Sequence, residues 1–340
     1  MRISARWFGA VAVLTTVACV LPVAPARAAT GVPDVRADDG SHVVAETTVD
    51  GDPRVLDLTV RSTGVGAYAM VRLILPRGWA AEPDRKWAAV YLLAGETRLQ
   101  DYRGWSANTD VRRLADDAGV LVVMPGSGPA GFFSDWWNYG KDIALNQWET
   151  FTAVELPQLV DRGYRGDGRR AAAGLSLGGY GALELAARRP GVFRYAASYS
   201  GNVNPTGPTG ELLTDAIVTS AHLDPEALWG DRRRESARWE AHDPLVNASR
   251  LRGTEVYLSA GNGLPGPLDA KLPIDVLPGA MLLEFLCGGQ TTALVDRLRA
   301  LGVPVTADLY GPGTHQWAYW QEQLHQTWPR MLQVLAGPAS

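Results

Sequence analysis

Short apolar runs alternate along this chain with stretches of helical spacing. The runs are "VLDLTV" (55–60), "YAMVRLILP" (68–76), "WAAVYLLAG" (87–95), "GVLVVMPG" (119–126), "RRAAAGLS" (169–176), "RYAASYSG" (194–201), "EVYLSAGNG" (255–263) and "VTADLYG" (305–311). Most are continuous rather than alternating, as strands covered on both faces are. Between them lie helical candidates such as "NTDVRRLADDAG", "ETFTAVELPQLVDRG", "GYGALELAARRP" and "TTALVDRLRALG". The order predicts an α/β fold with a mostly parallel central sheet and helices on both faces. The stretch 202–252, rich in Pro, Gly and Trp, is too long for a bare connection. It reads as an insertion over the carboxyl edge of the strands, where open α/β sheets bind ligands.

Residues 1–28 read as a secretory signal peptide: Arg2 and Arg6, then "WFGAVAVLTTVACVL", then the small-residue cleavage site "ARA" at 26–28. Thr16 stands three places before Cys19, where a lipid-modified cysteine calls for an apolar residue, so the expectation is export without an anchor. No low-complexity linker or repeat divides the remainder, and 29–340 is expected to fold as a single domain. No later apolar run approaches the ~20 residues that span a bilayer, so no integral membrane segment is expected in the mature chain. The net charge is −4, and the signal carries three arginines and no acids, so its loss makes the balance more negative. That argues against nucleic acid as a partner. Of the two cysteines only Cys287 lies beyond the signal, so no intrachain disulfide is expected there.

The candidate chemistry centres on Gly174, Leu175, Ser176, Leu177 and Gly178, a GxSxG between a predicted buried strand and a predicted helix. That is the setting of a nucleophile elbow, in which glycines let a sharp turn lift the serine above the sheet. A serine hydroxyl needs a base to take its proton, and in this fold the order along the chain is Ser, acid, His. His222, His242, His315 and His325 all follow Ser176. His315 is preferred because "LYGPGTHQWAYW" places it in a loop just after the last predicted strand. His222 and His325 sit in predicted helices, and His242 reads as a turn or helix-start residue. For the acid, Asp269, Asp275 and Glu284 all follow "EVYLSAGNG" and each could orient an imidazole. An oxyanion hole needs one backbone amide after the nucleophile and one after an earlier strand. Leu177 and Glu96 are the candidates.

Two patterns are set aside. "GSGPAG" (126–131) matches GxGxxG, but Pro129 and "FFSDWW" stand where a helix should open. The basic run 232–234 is flanked by acids and reads as a solvated face. No HExxH or paired CxxC occurs, so neither a metal nor another cofactor is implied. Of the tryptophans, Trp105 and Trp148 are expected to pack loops onto the core, and Trp317, two residues from His315, to form a substrate wall.

From "AVYLLAG" to "HQWAYW" the sequence resembles the antigen 85 mycolyltransferases, esterase-like α/β hydrolases of the actinobacterial cell envelope. "YLLAG", "DYRGWSANTD", "VVMP", "FFSDWW", "WETFTAVELP", "AAAGLSLGG", "HDPLVN", "AGNG" and "GTHQWAYW" carry the likeness. The resemblance implies an α/β-hydrolase fold and places the family's catalytic glutamate on Glu284 of "MLLEFL", giving Ser176, Glu284 and His315. It implies oxyanion donors at Leu177 and Glu96, and acceptor-binding residues at Asn108 and Trp317. Its substrate class is an acyl ester or glycolipid whose acyl group passes through an acyl-serine to a sugar hydroxyl. The family's trehalose-gripping aspartate and arginine align with Ala94 and Thr97, Arg98 falling one place late, and Ala260 replaces a family cysteine.

The reading is therefore an exported serine acyltransferase or esterase of the cell envelope. Its alternatives are a carboxylesterase that only hydrolyses, or a non-catalytic envelope or adhesion protein.

Overall fold

The computed structural model describes residue 32 and residues 34–96, 101–141 and 145–337. Within them nine strands form one sheet: β1 (His42–Val49), β2 (Asp52–Arg61), β3 (Tyr68–Ile74), β4 (Trp87–Leu93), β5 (Leu121–Pro125), β6 (Gly166–Leu175), β7 (Tyr195–Tyr199), β8 (Glu255–Ala260) and β9 (Val305–Leu309). Their order is β1-β2-β3-β5-β4-β6-β7-β8-β9. The pairs β1–β2, β2–β3 and β3–β5 are antiparallel, and every pair from β5 onward is parallel.

The continuous apolar runs occupy the middle of this sheet because both of its faces are covered. All seven residues of β4 and all five of β5 and of β7 are buried. Along β4 the pleat deals side chains to two cores in turn. Ala89, Tyr91 and Leu93 face a cluster with Phe132, Phe133, Tyr180 and Trp229. Ala88, Val90 and Leu92 face Trp105, Trp320, Leu324 and Trp328. The first core is closed by helices Leu156–Gly163 and Leu177–Arg188, the second by the last helix, Trp317–Ala336.

Eight strands fall on the runs read from the sequence, and β1 does not. Only Val43 of "HVVAETTV" is buried, so this edge strand leaves almost no apolar trace. The helix read from Thr291 onward begins earlier and spans Leu277–Ala300. Pro278, Gly279, Gly288 and Gly289 weaken helix propensity there. Pro278 stands in the first turn, where its missing N–H matters least. Gly288 is required by a close approach: a Cβ on it would lie 2.8 Å from the Gly261 carbonyl oxygen. The stretch 202–252 contains helices Pro208–Ser220, Pro225–Trp229 and Ser236–Ala241.

Candidate active site

β6 delivers the chain to Ser176 and helix Leu177–Arg188 carries it away. Ser176 sits at φ 51°, ψ −121°, a conformation that side chains other than glycine enter at a cost of about 1–3 kcal/mol. The turn holds because the backbone packs tightly around it. A Cβ on Gly174 would lie 2.1 Å from the Gly178 carbonyl oxygen, and one on Gly178 would lie 2.1 Å from that of Leu93. The Ser176 amide donates to Tyr199 O at 2.9 Å, which ties the corner to β7. Leu177 opens the helix, so its N–H is one of the first-turn donors without an intrahelical acceptor. Glu96 stands just after β4, and its carboxylate accepts from the Ala130 amide at 2.8 Å.

His315 approaches from the loop between β9 and the last helix. Its backbone amide donates to Ala280 O at 3.1 Å, against the first turn of Leu277–Ala300. Four residues on, the same helix face presents Glu284. His315 Nδ1 donates to Glu284 Oε2 at 2.8 Å, and the carboxylate is fully buried. The other oxygen, Oε1, accepts from Ser200 Oγ at 2.8 Å and from the Gly261 amide at 2.5 Å. Among the described residues no Lys or Arg pairs with Glu284, so the cation it is placed to stabilise is the imidazolium of His315. Trp320 meets the imidazole edge to face at 4.8 Å, and its indole N–H donates to Ser200 Oγ at 3.2 Å.

The other two acids do different things. Asp269 accepts from Thr314 Oγ1, from Tyr319 OH at 2.9 Å and from the Gly266 amide at 2.7 Å, so it braces the loop that carries His315. Asp275 is exposed. The remaining histidines downstream of Ser176 are also elsewhere. His222 is exposed, and His325 pairs with Asp110 at 2.7 Å.

His242 is buried against Glu184, Nδ1 to Oε1 at 2.6 Å, and burial followed by the nearby Arg188 charge holds its pKa down to about 3. Ligand atoms of Glu149, Glu184 and His242 lie within 4.8 Å of one another, close enough to share a cation. Arg188 and Arg189 already contact Glu149 at 2.6 and 2.7 Å, however, and supply the positive charge a cation would bring. The arrangement is an ion-pair network that fastens the end of the elbow helix.

Ser176, Leu177, Glu96, His315 and Trp317 line one cavity of about 350 Å³. Within the described residues no hydrogen bond joins the Ser176 hydroxyl to His315, a looseness common in unliganded sites. Leu213, Ala216 and Ile217 of helix Pro208–Ser220 supply an apolar wall, together with Leu283 and Cys287. Burial, with the Glu284 charge adding to it, pushes the Cys287 thiol pKa far up. Trp317 packs edge to face on Trp105 and on Trp320, both at 5.5 Å. Trp105 is fully buried, its N–H donating to Leu93 O at 3.0 Å.

The structure does not bring Asn108 into this cavity. It is exposed at the end of a short helix, and its amide turns back to Gly104 O at 2.9 Å. Ala94 is buried in the core, while Thr97 and Arg98 lie outside the described residues. The sequence does not mark Ser200, the cavity-lining Asn202 or the wall of helix Pro208–Ser220 as parts of the site. Small polar residues after a strand read as a turn, and a helix inside an insertion shows no phase relative to the sheet.

An antiparallel lead-in followed by parallel strands, with a strained serine where a central strand meets its helix, is the architecture of the α/β hydrolases. A model of the family described as "Putative esterase" matches residues 62–331. The diacylglycerol acyltransferase/mycolyltransferase Ag85B of Mycolicibacterium smegmatis is 33% identical over 256 residues, covering 73% of this chain and 77% of its own. Among solved structures, Mycobacterium tuberculosis MPT51 (FbpC1) superposes with a TM-score of 0.69 at 25% identity, over 83% of this chain and 98% of its own. An S-formylglutathione hydrolase from Agrobacterium tumefaciens shares the fold, with a TM-score of 0.63 at 17% identity over 86% and 99% of the two chains. The chain belongs to this esterase family and, within it, to the antigen 85 mycolyltransferase group. It is an enzyme of the ester hydrolase and acyltransferase class.

Proposed function

We propose that Ser176, His315 and Glu284 act as nucleophile, base and orienting acid in acyl transfer. The observation that carries this reading is the 2.8 Å contact from His315 Nδ1 to a fully buried carboxylate, with Ser176 and His315 facing the same cavity. With Nδ1–H committed to Glu284, Nε2 is the lone pair free to take a proton. Ser176 Oγ attacks the acyl carbonyl while His315 Nε2 takes the hydroxyl proton. The oxyanion is held by the backbone N–H groups of Leu177 and Glu96. The tetrahedral adduct collapses, the C–O bond to the alcohol breaks, and that alcohol leaves with the proton from His315. An acceptor hydroxyl then gives its proton to His315 and attacks the acyl-serine, and the acyl–Oγ bond breaks as His315 returns that proton to Ser176.

The acyl chain lies along Leu213, Ile217 and Leu283, and Trp317 forms the wall beside the base. The acceptor is a sugar hydroxyl or water. Ala94, buried where the family's trehalose-gripping aspartate aligns, favours an acceptor other than trehalose. The antigen 85 group supports a mycolyl or other long acyl donor and a site of action in the cell envelope. On this reading residues 1–28, which lie outside the described residues, direct export and are removed, and 29–340 works as one domain.

The test is mass spectrometry of the products formed from an acyl ester with and without trehalose, beside Ser176→Ala. Free acid alone identifies a hydrolase, and acylated sugar identifies a transferase. Absence of a covalent fluorophosphonate adduct on Ser176 in folded protein overturns the mechanism.

A further inference from the structure

We propose that the segment 264–285 is a face that docks on a neutral lipid surface and brings the mouth of the Ser176 cavity onto the aggregate that holds its substrate. Fifteen large apolar side chains are exposed among the described residues, and seven of them fall within this one segment. Ile274 is 80% exposed, Phe285 65% and Leu282 58%. Single exposed apolar residues are ordinary, but a concentration of this kind marks a surface with a partner.

Helix Leu277–Ala300 makes the point internally. Its inward stripe is continuous, with Ala280, Glu284, Cys287, Thr291, Leu294 and Leu298 all buried. Its outward face changes character along its length. The second half exposes Thr292, Asp296, Arg297 and Arg299, as a solvated helix does, whereas the first half exposes Leu282, Leu283 and Phe285. The half that departs from the rule is the half beside the cavity.

Charge and continuity select the occupant. Of the four charged residues in 264–285, Asp269 and Glu284 are buried, leaving Lys271 and Asp275 exposed as one charge of each sign. The face is therefore electrically neutral on a chain of net charge −4, which suits neutral headgroups rather than an anionic surface. Leu283 belongs both to this face and to the wall of the Ser176 cavity. On the other side, Phe285 shares with Leu309 and Leu286 an adjoining groove of about 370 Å³. Exposed apolar side chains thus stand at the cavity wall, in Leu283, and at the adjoining groove, in Phe285. An acyl chain leaving the aggregate can meet them on its way to Ser176. The inference rests on the reading that the cavity accepts an acyl ester.

The test uses the full mature chain, its variant Ile274→Glu/Leu282→Glu, and phosphatidylcholine vesicles carrying a long-chain nitrophenyl ester. Neither residue lines the Ser176 cavity. Wild type is expected to float with the vesicles, and the variant's bound fraction to fall on the order of tenfold. Fluorophosphonate labelling of Ser176 and turnover of a soluble short-chain ester should stay within about twofold, as for surface substitutions in general. Turnover of the vesicle-borne ester should fall with the bound fraction. Wild type that labels at Ser176 but does not float overturns the docking face. So does a variant that floats as well as wild type, or a wild-type dimer in sedimentation velocity that the variant dissociates. Wild type that floats but does not label supports the docking face and removes the acyl-transfer reading instead.

Discussion

Replacing Glu284 by glutamine tests the centre of the mechanism with almost no change in volume. Three donors converge on this carboxylate: His315 Nδ1–H, the Ser200 hydroxyl and the Gly261 amide. An amide offers one acceptor oxygen and one NH2 group, so it cannot serve all three. The Gly261 N–H is fixed in the backbone, whereas the Ser200 hydroxyl can rotate, and the imidazole can exchange tautomers. The lowest-energy arrangement therefore keeps the oxygen on Gly261 and turns the NH2 toward His315. His315 must then accept at Nδ1 and carry its proton on Nε2, the atom that should take the proton of Ser176. The base is lost while the packing survives. The corresponding change in a serine protease lowers kcat about ten-thousand-fold. At ~1.4 kcal/mol per decade, that amounts to ~5.5 kcal/mol on the barrier.

Turnover of a soluble nitrophenyl ester across pH, together with thermal unfolding, measures both effects. Glu284→Gln should lose about four decades of kcat, with a stability change limited to about 1–3 kcal/mol from the strained hydrogen bonds. Asp269→Asn is the matched control. Asp269 holds the histidine loop through Thr314, Tyr319 and Gly266 without touching the imidazole. Its variant should lower Tm, and its activity should track the folded fraction. A Glu284→Gln enzyme within about tenfold of wild type, or an Asp269→Asn enzyme that is inactive at full stability, refutes the tautomer argument.

Ser176→Gly should abolish turnover and raise stability by about 1 kcal/mol in urea unfolding, because φ 51° costs glycine little. Gly178→Ala should cost more than about 3 kcal/mol or fail to fold, since its Cβ meets a backbone oxygen that cannot move aside. Ile217→Trp narrows the apolar wall and should lower kcat/KM for an octanoyl ester on the order of tenfold relative to an acetyl ester; equal losses on both would place the chain elsewhere. Buried His242 titrates near 3 in the fold against an ordinary value of 6.5. Between those values the unfolded chain holds a proton the native protein lacks, so its contribution to stability is present above 6.5 and is lost as pH falls toward 3. Urea titrations of His242→Gln should show a shallower dependence over that window, and an unchanged slope would contradict the assignment.

The corner at Ser176 is legible in sequence because its signals are local. A buried strand, two glycines that no other residue can replace, and a helix stand consecutively. His315 is legible for a related reason, since a loop after the last strand must fall at the carboxyl edge. Glu284 is different: Asp269, Asp275 and Glu284 all follow β8, and spacing alone does not say which one faces the histidine loop. That depends on the phase of helix Leu277–Ala300, set by the Gly288 approach to Gly261 and by the His315 amide on Ala280 O. The resemblance to antigen 85 proteins makes the choice that spacing leaves open. Asn108 shows the opposite case: a position matched by motif that the fold leaves outside the cavity.

These differences divide the site in two. The half assigned to acyl-serine chemistry is built from elements that the sheet itself positions: β6, the elbow helix, and a glutamate held by Ser200 and Gly261. Its glycines and buried carboxylate tolerate little change without unfolding or loss of the base. For the half that would grip an acceptor, the described residues offer Trp317, held edge to face by Trp105 and Trp320. Where the resemblance aligns the family's aspartate, Ala94 is packed into the core beside Val90 and Leu92. A chain drifting from its relatives can therefore change what receives the acyl group while retaining how the group is taken up. Restoring an acid at Ala94 alone should not create a trehalose grip, because that side chain would be buried without a partner. Ala94→Asp should lower Tm by several degrees and leave the ratio of acylated trehalose to free acid unchanged, whereas a raised ratio at full stability would place the grip at this position after all.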